Sequence, residues 1–451
     1  MKTRSFFIAL ILGAIWFFIN PLKLNLEQQI ILSTTITCVC LWANGGLNKN
    51  YVSIILILVY SLVGKTKPLD IISFVYSNTA LLIMSTSVLC IGLTKSGLVD
   101  KFIDEIMKRT GTSLNTLLIL PYILGIILVF LIPQAFARSV ILAGVFSTII
   151  SSDEKYKKLK EVMLFNVFLS ISITYMFFST GDIVLNGSAM AFAENVSGNS
   201  ISFFAWIKAM SVPTIVTSII TFLLTKFIFK EELKGFSLDA IENKKSIRVD
   251  GKMKASALII AIIIITWMTK SIHGINEWIP AVIGVILMLA IKIIKIEDLK
   301  SINPSFILFL TAAFSIGKVM GANGISDVIF ENLKSIIPQG DSNLFLIALA
   351  VVIMILHMII GSSVASLSVA LPLFIPLAQS RGYSSNLIML MSYIMVNIHF
   401  LLPHQHANMM VGIGQKFYND KMMLKFGIYM TPITLLLIAL VYIPWWKVVG
   451  L

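Results

Sequence analysis

Apolar runs alternate with short polar connectors along almost the whole chain, and most of the runs approach the length a helix needs to cross a bilayer. They lie at Phe6–Ile19, Ile30–Ala43, Val52–Val63, Ile71–Leu93, Val162–Phe178, Phe203–Phe229, Ala255–Met268, Trp278–Ile294, Phe306–Met320, Leu387–Leu402 and Phe426–Trp446. In hydrocarbon every backbone polar group must be satisfied within the protein, so runs of this kind predict helices. The expected fold is an all-α polytopic membrane protein with about 11 transmembrane helices.

Two further apolar stretches, Leu114–Ile150 and Leu344–Leu377, are too long for one span and barely long enough for two. The first is broken at Pro133-Gln134-Ala135-Phe136-Ala137-Arg138, the second at Gly361-Ser362-Ser363-Val364-Ala365-Ser366. Each follows a polar opening, Gly97-Leu98-Val99-Asp100 and Gly324-Ile325-Ser326-Asp327, roughly 36 to 37 residues before its break. After the first opening, Val99, Phe102, Ile103, Ile106 and Met107 share one helical face, with Asp100, Lys101, Glu105 and Lys108 opposite. That pattern predicts a helix over Leu98–Arg109 lying along the membrane surface.

A turn on the far side of a membrane usually carries several charges or Gly, Asn and Asp, and of the two breaks only the first holds a charge, Arg138. Each broken stretch is therefore expected to be a re-entrant helical hairpin, with two short ordinary spans as the alternative. About five spans separate the two, an odd number, so the second hairpin enters from the opposite face. The result is an inverted-topology repeat whose two tips meet near the midplane, an arrangement that points to a transport site.

Each half also contains a second interruption. In the first half it is Phe178-Ser179-Thr180-Gly181-Asp182, and in the second Leu402-Pro403-His404-Gln405-His406-Ala407-Asn408. Proline removes a backbone donor, and a broken helix exposes carbonyls and half-helix N-termini that can meet cations and anions. The chain divides accordingly into N-terminal scaffold helices (1–95), a first repeat core (96–230), a basic loop (231–254), scaffold helices of the second half (255–323) and a second repeat core (324–451).

Composition agrees with the pattern. The chain has 451 residues, 57% hydrophobic and 13% charged, about half the charged fraction of a soluble domain. Its net charge of +13 resides in connectors such as Ser151–Lys160 and Phe229–Lys254, which retention in the cytoplasm explains, so no nucleic-acid partner is expected. No small-residue cleavage pattern follows Met1-Lys2-Thr3-Arg4 before Asn20-Pro21, so the first helix is expected to be retained with a cytoplasmic N-terminus in the cell membrane. Cys38, Cys40 and Cys90 sit in apolar runs without ligand spacing, implying neither a disulfide nor a metal site, and no resident cofactor is expected.

Among the candidate residues, Arg138 would be costly in hydrocarbon unless it faces a polar partner. Its guanidinium can clamp a carboxylate or sulfate through two hydrogen bonds, or tie neighbouring carbonyls together. Asp182 can pair with a cation or carry a proton, or can be a solvated loop residue. His404, Gln405 and His406 can donate to an anion, titrate near neutral pH, or form a satisfied polar patch. Two histidines at i and i+2 are a poor zinc pair. His273, His357 and His399 are isolated along the chain and read as packing residues.

With these residues in view the chain resembles the divalent anion:sodium symporter family of dicarboxylate, citrate and sulfate transporters. Gly92-Leu93-Thr94-Lys95-Ser96-Gly97-Leu98 resembles that family's entry to its first hairpin, and Phe306-Ile307-Leu308-Phe309-Leu310 through Gly317-Lys318 its entry to the second. Ile201-Ser202-Phe203-Phe204-Ala205-Trp206-Ile207-Lys208 resembles the lead into the helix after its first broken span. Family tips carry Ser-Asn-Thr. Here Gln134, Ala135 and Phe136 occupy the centre of the first, and the second keeps its first serine in Ser362-Ser363-Val364-Ala365-Ser366 with Pro372 following. Ala135, Phe136 and Val364 side chains cannot supply the oxygen shell of a sodium ion, although backbone carbonyls can.

The resemblance implies a secondary active transporter of a small anion, a di- or tricarboxylate or sulfate, working as a homodimer whose transport domain slides against a fixed scaffold. Carried onto this sequence, it implies substrate binding by Gln134, Ala135, Arg138, Ser362, Ser363, His404 and Gln405. It implies ion coupling by Thr180, Gly181, Asp182, Pro403, His406 and Asn408, with sodium (at the hairpin tips) or a proton as the coupling ion. The rival readings are a membrane-embedded enzyme acting on a lipid-linked substrate, which would use His404 and Arg138, and an uncoupled anion exchanger.

Overall fold

A computed structural model describes residues 2–44, 47–98, 101, 105, 113–132, 134–150, 153–236, 249–276, 278–302, 304–334, 343–401 and 405–451. The surface helix expected over Leu98–Arg109 falls largely outside them, as do Pro133, Pro403 and His404.

The described regular structure is helical. Three helices open the chain, α1 (Lys2–Ile19), α2 (Leu26–Asn44) and α3 (Lys49–Val63), followed by α4 (Asn78–Lys95). The first broken stretch forms α5 (Leu114–Ile127) and α6 (Ala135–Ile149); then come α7 (Lys157–Thr174), α8 (Leu185–Ser197) and the long α9 (Phe203–Ile228). After the basic loop the second half runs α10 (Gly251–Met268), α11 (Trp278–Ala290), α12 (Pro304–Ala322) and the amphipathic α13 (Ile325–Lys334). The second broken stretch forms α14 (Asn343–Ile360) and α15 (Ser363–Gln379). The chain ends with α16 (Ser385–Asn397), α17 (Ala407–Gly414) and α18 (Asp420–Leu437), which continues through a π turn to Val449.

The starts of these helices are written locally. Ser77, Ser113, Ser202, Asp250, Ser384 and Asn419 each accept a backbone N–H of the first turn of α4, α5, α9, α10, α16 and α18, satisfying a donor that has no partner within the helix. The two openings found in the sequence share one backbone device. Gly97 and Gly324 both adopt left-handed φ, +71° and +68°, which a side chain would oppose, and each turns the chain out of the preceding long helix.

Among the described residues, four helical stretches are long and apolar enough to cross a membrane by length and composition: Glu154–Phe177, Phe203–Ile228, Ile296–Ala322 and Asp420–Val449. The remaining apolar helices are shorter, and the hairpin arms are among them. α5 and α6 have 14 and 15 residues, about 21 to 23 Å of helix against a hydrocarbon thickness of about 30 Å.

Packing between the halves is reciprocal. α6, the second arm of the first hairpin, lies against α7 and against α17 of the second broken span. α15, the second arm of the second hairpin, lies against α16 and against α8 of the first broken span. Each hairpin is thus seated on the interruptions of both halves. A buried aromatic stack, Phe74 on Phe314 on Phe192, ties this core to the N-terminal region, with ring centroids 4.2 and 3.9 Å apart. Gly427 of α18 meets the backbone at Phe400 and Leu401 so closely that no Cβ fits there. Gly427→Ala is expected to lower stability by about 1 to 3 kcal/mol, visible as an earlier thermal unfolding transition in detergent. An unchanged transition would mean that this contact is not tight in the folded protein.

Candidate functional site

The break in each long apolar stretch lies against an interruption, and the backbone groups freed there can be followed one by one. At the first interruption α7 ends in a short 3-10 turn, Tyr175–Phe177, and α8 begins at Leu185. Asn186 donates its amide to the carbonyls of Tyr175 (3.1 Å) and Phe178 (2.9 Å). Arg138, in the first turn of α6, is 0% exposed and donates Nη1 to the carbonyl of Ile132 (2.5 Å) and Nη2 to that of Gly181. The carbonyls of Tyr175, Phe178 and Gly181, which a broken helix could offer to a cation, therefore already have donors.

Asp182 completes this junction. Its carboxylate accepts the backbone N–H of Val184 (3.2 Å), just before α8, lies close to those of Leu185, where α8 begins, and Ala135, where α6 begins, and is attracted to the Arg138 charge. One buried carboxylate thus serves the N-termini of two helices, where negative charge is favoured. The solvated-loop reading of Asp182 is corrected, because only 5% of the residue is exposed. Of the two readings of Arg138, the geometry is that of the tie: the guanidinium bridges the turn of the first hairpin to the first interruption and lines neither of the two cavities described below. The Thr180 hydroxyl is buried without a hydrogen-bond partner.

The second interruption is held from the second broken stretch. Ser363 donates its hydroxyl toward the carbonyls of Val396 (3.1 Å) and Gln405 (3.3 Å), on the two sides of the break. The Gln405 side chain accepts the Leu401 N–H (2.7 Å). His406 caps α17, its Nδ1 accepting the Met409 N–H, which makes Nε2 the protonated nitrogen of the neutral ring. Nε2 lies 3.3 Å from both the Tyr175 hydroxyl and Asn397 Oδ1. Tyr175 donates to Asn397 Oδ1, and the Asn397 amide donates to the carbonyl of Ser172 (3.1 Å). Asn408 donates to the Ser172 hydroxyl (2.9 Å). All five residues are buried, so this network fastens α7 of the first half to both sides of the second interruption.

The two tips differ in one respect that matters for an anion. Neither Gln134 nor Ser362 caps its helix with a side chain. At the first tip Asp182 already meets the opening N–H of α6. Among the described residues no carboxylate serves α15, whose N-terminus is flanked by the half-buried serines Ser362 and Ser363 and by Gly361 at φ +67°. Just behind this tip, the Ser366 hydroxyl meets Nδ1 of His357 at 3.1 Å.

Gln134, Phe136 and Ala137 line a cavity of about 560 Å3 that continues along α4 through Ser87, Thr94 and Lys95. Gln134 donates to the Ser87 hydroxyl across it (2.5 Å), and Lys95 at its edge pairs with Asp298 (2.7 Å). A smaller cavity of about 290 Å3 lies between α8, α12, α13 and α15, with Asn195, Lys318 and Asp327 in its wall.

The predicted residues thus fall into two groups. Gln134, Ala135, Arg138, Gly181 and Asp182 meet at the first tip; Ser363, Gln405, His406 and Asn408 meet at the second interruption. Tyr175, Ser172 and Asn397 were missed by sequence reasoning. A lone amide inside an apolar run, such as Asn397, is the signal that would have found one of them.

A model of the sodium:sulfate symporter transmembrane region matches residues 2–451 of the chain. A membrane protein of Cupriavidus necator is 21% identical over 405 residues, covering 86% of this chain and 78% of its own. Among solved structures, that of the YdaH transporter of Alcanivorax borkumensis matches with a TM-score of 0.57 and 13% identity, covering 92% of this chain and 98% of the other, a likeness of fold.

Proposed function

The chain belongs to the sodium:sulfate symporter transmembrane family, a membrane-embedded anion transporter rather than an enzyme, and on that premise we propose that it carries a small di- or tricarboxylate or sulfate-like anion seated at the second hairpin tip. The observation that carries the reading is the contrast between the tips. α6 begins against an internal carboxylate, Asp182, whereas the N-terminus of α15 has none and is flanked by Ser362 and Ser363. A helix N-terminus offers backbone donors to an anion, with the Ser362 hydroxyl beside them, and the dipole favours negative charge there.

Arg138 acts in this reading as a positioning residue. It holds the first tip on the first interruption and keeps a positive charge in the core. The short hairpin arms and the reciprocal packing support re-entrant hairpins in an inverted repeat. The family resemblance supports a homodimer with a sliding transport domain, a cell-membrane location and a cytoplasmic N-terminus.

The hydrogen-bond accounting favours a proton over sodium as the coupling ion. The carbonyls of Gly181, Tyr175, Phe178, Val396 and Gln405 are met by Arg138, Asn186 and Ser363, and the tips lack the asparagines and threonines of the family pattern. Uptake of labelled succinate, citrate and sulfate into proteoliposomes, under an imposed sodium or proton gradient, tests the assignment. Accumulation of at least one anion is expected under the proton gradient. Ser363→Ala, which removes the hydroxyl bridging the tip to both sides of the break, should lower that uptake by about tenfold. Wild-type rates in this variant would remove the second tip from the site.

A further inference from the structure

His357 and His399 look isolated in the sequence, yet the fold brings them together. Their ring centroids are 6.0 Å apart at an interplanar angle of 75°, and both residues are 0% exposed. His357 lies in the last turn of α14, and its carbonyl accepts the Gly361 N–H at the tip (2.7 Å). Its Nδ1 meets Ser366, in the first turn of α15. His399 lies in the second interruption, three residues beyond Val396, whose carbonyl accepts the Ser363 hydroxyl. The pair therefore sits within about one helical turn of the proposed anion seat on all three segments. Both ring nitrogens of His399 are buried without a hydrogen-bond partner among the described residues. An imidazole is seldom left so in a protein interior, because each unmet nitrogen carries a desolvation cost.

The elements around the pair hold little to balance a charge. α14 carries no titratable group besides His357, α15 carries none, and α16 carries only Tyr393. The described part of the interruption adds His406, whose Nδ1 is engaged in capping α17. α18, which reaches the interruption through Thr434 and the Ile398 carbonyl (3.4 Å), carries Asp420, Lys421, Lys425 and Tyr429, all nearer its start. α2, which packs on α14, carries Glu27 at its own start and Cys38 and Cys40. The π turn after α18 adds Tyr442. No carboxylate on α14, α15 or α16 can neutralise an imidazolium, so a charge formed here calls for an anion from outside the protein.

Building on the anion seat proposed above, we infer that His357 and His399 together bind one proton, and that the imidazolium so formed is the counter-charge of the anion carried at the second tip. The proton adds to a ring nitrogen of His399, and the neighbouring ring of His357, with its centroid 6.0 Å away, flanks the charge so formed. It arrives with the anion, crosses with it as a pair of reduced net charge, and leaves to water when the anion departs. Each partner strengthens the binding of the other by the same factor, which makes the coupling thermodynamic and reciprocal. The sign follows: anion binding tightens as pH falls, by up to about tenfold per pH unit while one proton is taken up with each anion.

Sulfate suits the test because its own charge is constant between about pH 5 and 8. Binding of labelled sulfate, succinate and citrate to the purified full-length protein in detergent is measured across that range, with proton uptake followed by a dye in weak buffer. The protein should take up about one proton per anion bound, and its affinity should fall with rising pH. His399→Gln and, independently, His357→Gln should give pH-independent affinity for sulfate and no proton uptake, while still eluting as wild type in size exclusion. A proton uptake that persists in both variants, or a wild-type affinity for sulfate that does not change with pH, overturns the proton site. Anion counterflow in proteoliposomes without any gradient separates this from the underlying reading: counterflow with no linked proton defeats the site alone, whereas absence of counterflow for all three anions defeats the transporter reading and the site with it.

Discussion

Replacing Arg138 by alanine abolishes anion uptake and also destabilises the protein, the largest effect expected of any single change in the core. The substitution leaves the carbonyls of Ile132 and Gly181 without their donor, and leaves Asp182 without the positive charge that faces it. Removing one partner of a buried salt bridge costs about 3 to 5 kcal/mol, because the remaining charge stays buried and uncompensated; Arg138 and Asp182 attract one another without a direct ion-pair contact. Asp182 keeps its backbone donors, which places the expected loss near the lower end. Arg138→Lys should recover little, since an ammonium is a point charge and cannot span both carbonyls as the planar fork does. Arg138→Met combined with Asp182→Asn should regain part of the stability lost in Arg138→Met alone, because the orphaned charge is gone, but should not regain uptake. Thermal unfolding in detergent, read beside uptake in proteoliposomes, separates the two. A stable Arg138→Ala protein would show that the tie to the first interruption contributes little, and would return Arg138 to direct anion binding.

Asn397→Leu is the second. Asn397 accepts from Tyr175, lies 3.3 Å from His406 Nε2 and donates to the Ser172 carbonyl, so one substitution removes the partner of three buried groups. Unsatisfied buried polar groups cost about 1 to 3 kcal/mol each, and a loss of at least about 3 kcal/mol is expected. Tyr175→Phe should cost less, since Asn397 and His406 retain one another. Because Tyr175→Phe removes one of the orphaned groups, the double variant should be no worse than Asn397→Leu alone, and the non-additivity measures how far the network acts as a unit. Strict additivity of the two losses would argue against a connected network.

How much of this was legible in the sequence depends on the residue. The breaks at Gln134 and at Ser362-Ser363 were visible because proline, glycine and serine interrupt runs that a continuous helix would keep apolar. The openings at Gly97 and Gly324 were visible as a repeat, and both glycines take the left-handed backbone that ends a helix. Family membership was legible from the order of these pieces, and the full-length match agrees with it. What could not be read was pairing between segments distant along the chain. Arg138 offered two chemistries, clamp and tie, and only the nearness of the Gly181 carbonyl, 43 residues along the chain, distinguishes them. His357 and His399 each look like a lone polar residue in an apolar run, and nothing local indicates that their rings face one another. Asn397 escaped notice for the same reason, since the groups that explain it lie in the other half of the chain.

The reciprocal seating of the halves also bears on how the chain is made. The Tyr175 hydroxyl waits for an acceptor 222 residues further on. At a synthesis rate of about 5 to 20 residues per second, that residue is made on the order of 10 to 40 s later. Throughout that interval the first half has emerged with buried-type polar groups unmatched and with its first hairpin lacking α17 as a seat. Its early helices must therefore be sheltered during biogenesis by the insertion machinery or by water, and the core can set only after the last quarter of the chain has been inserted.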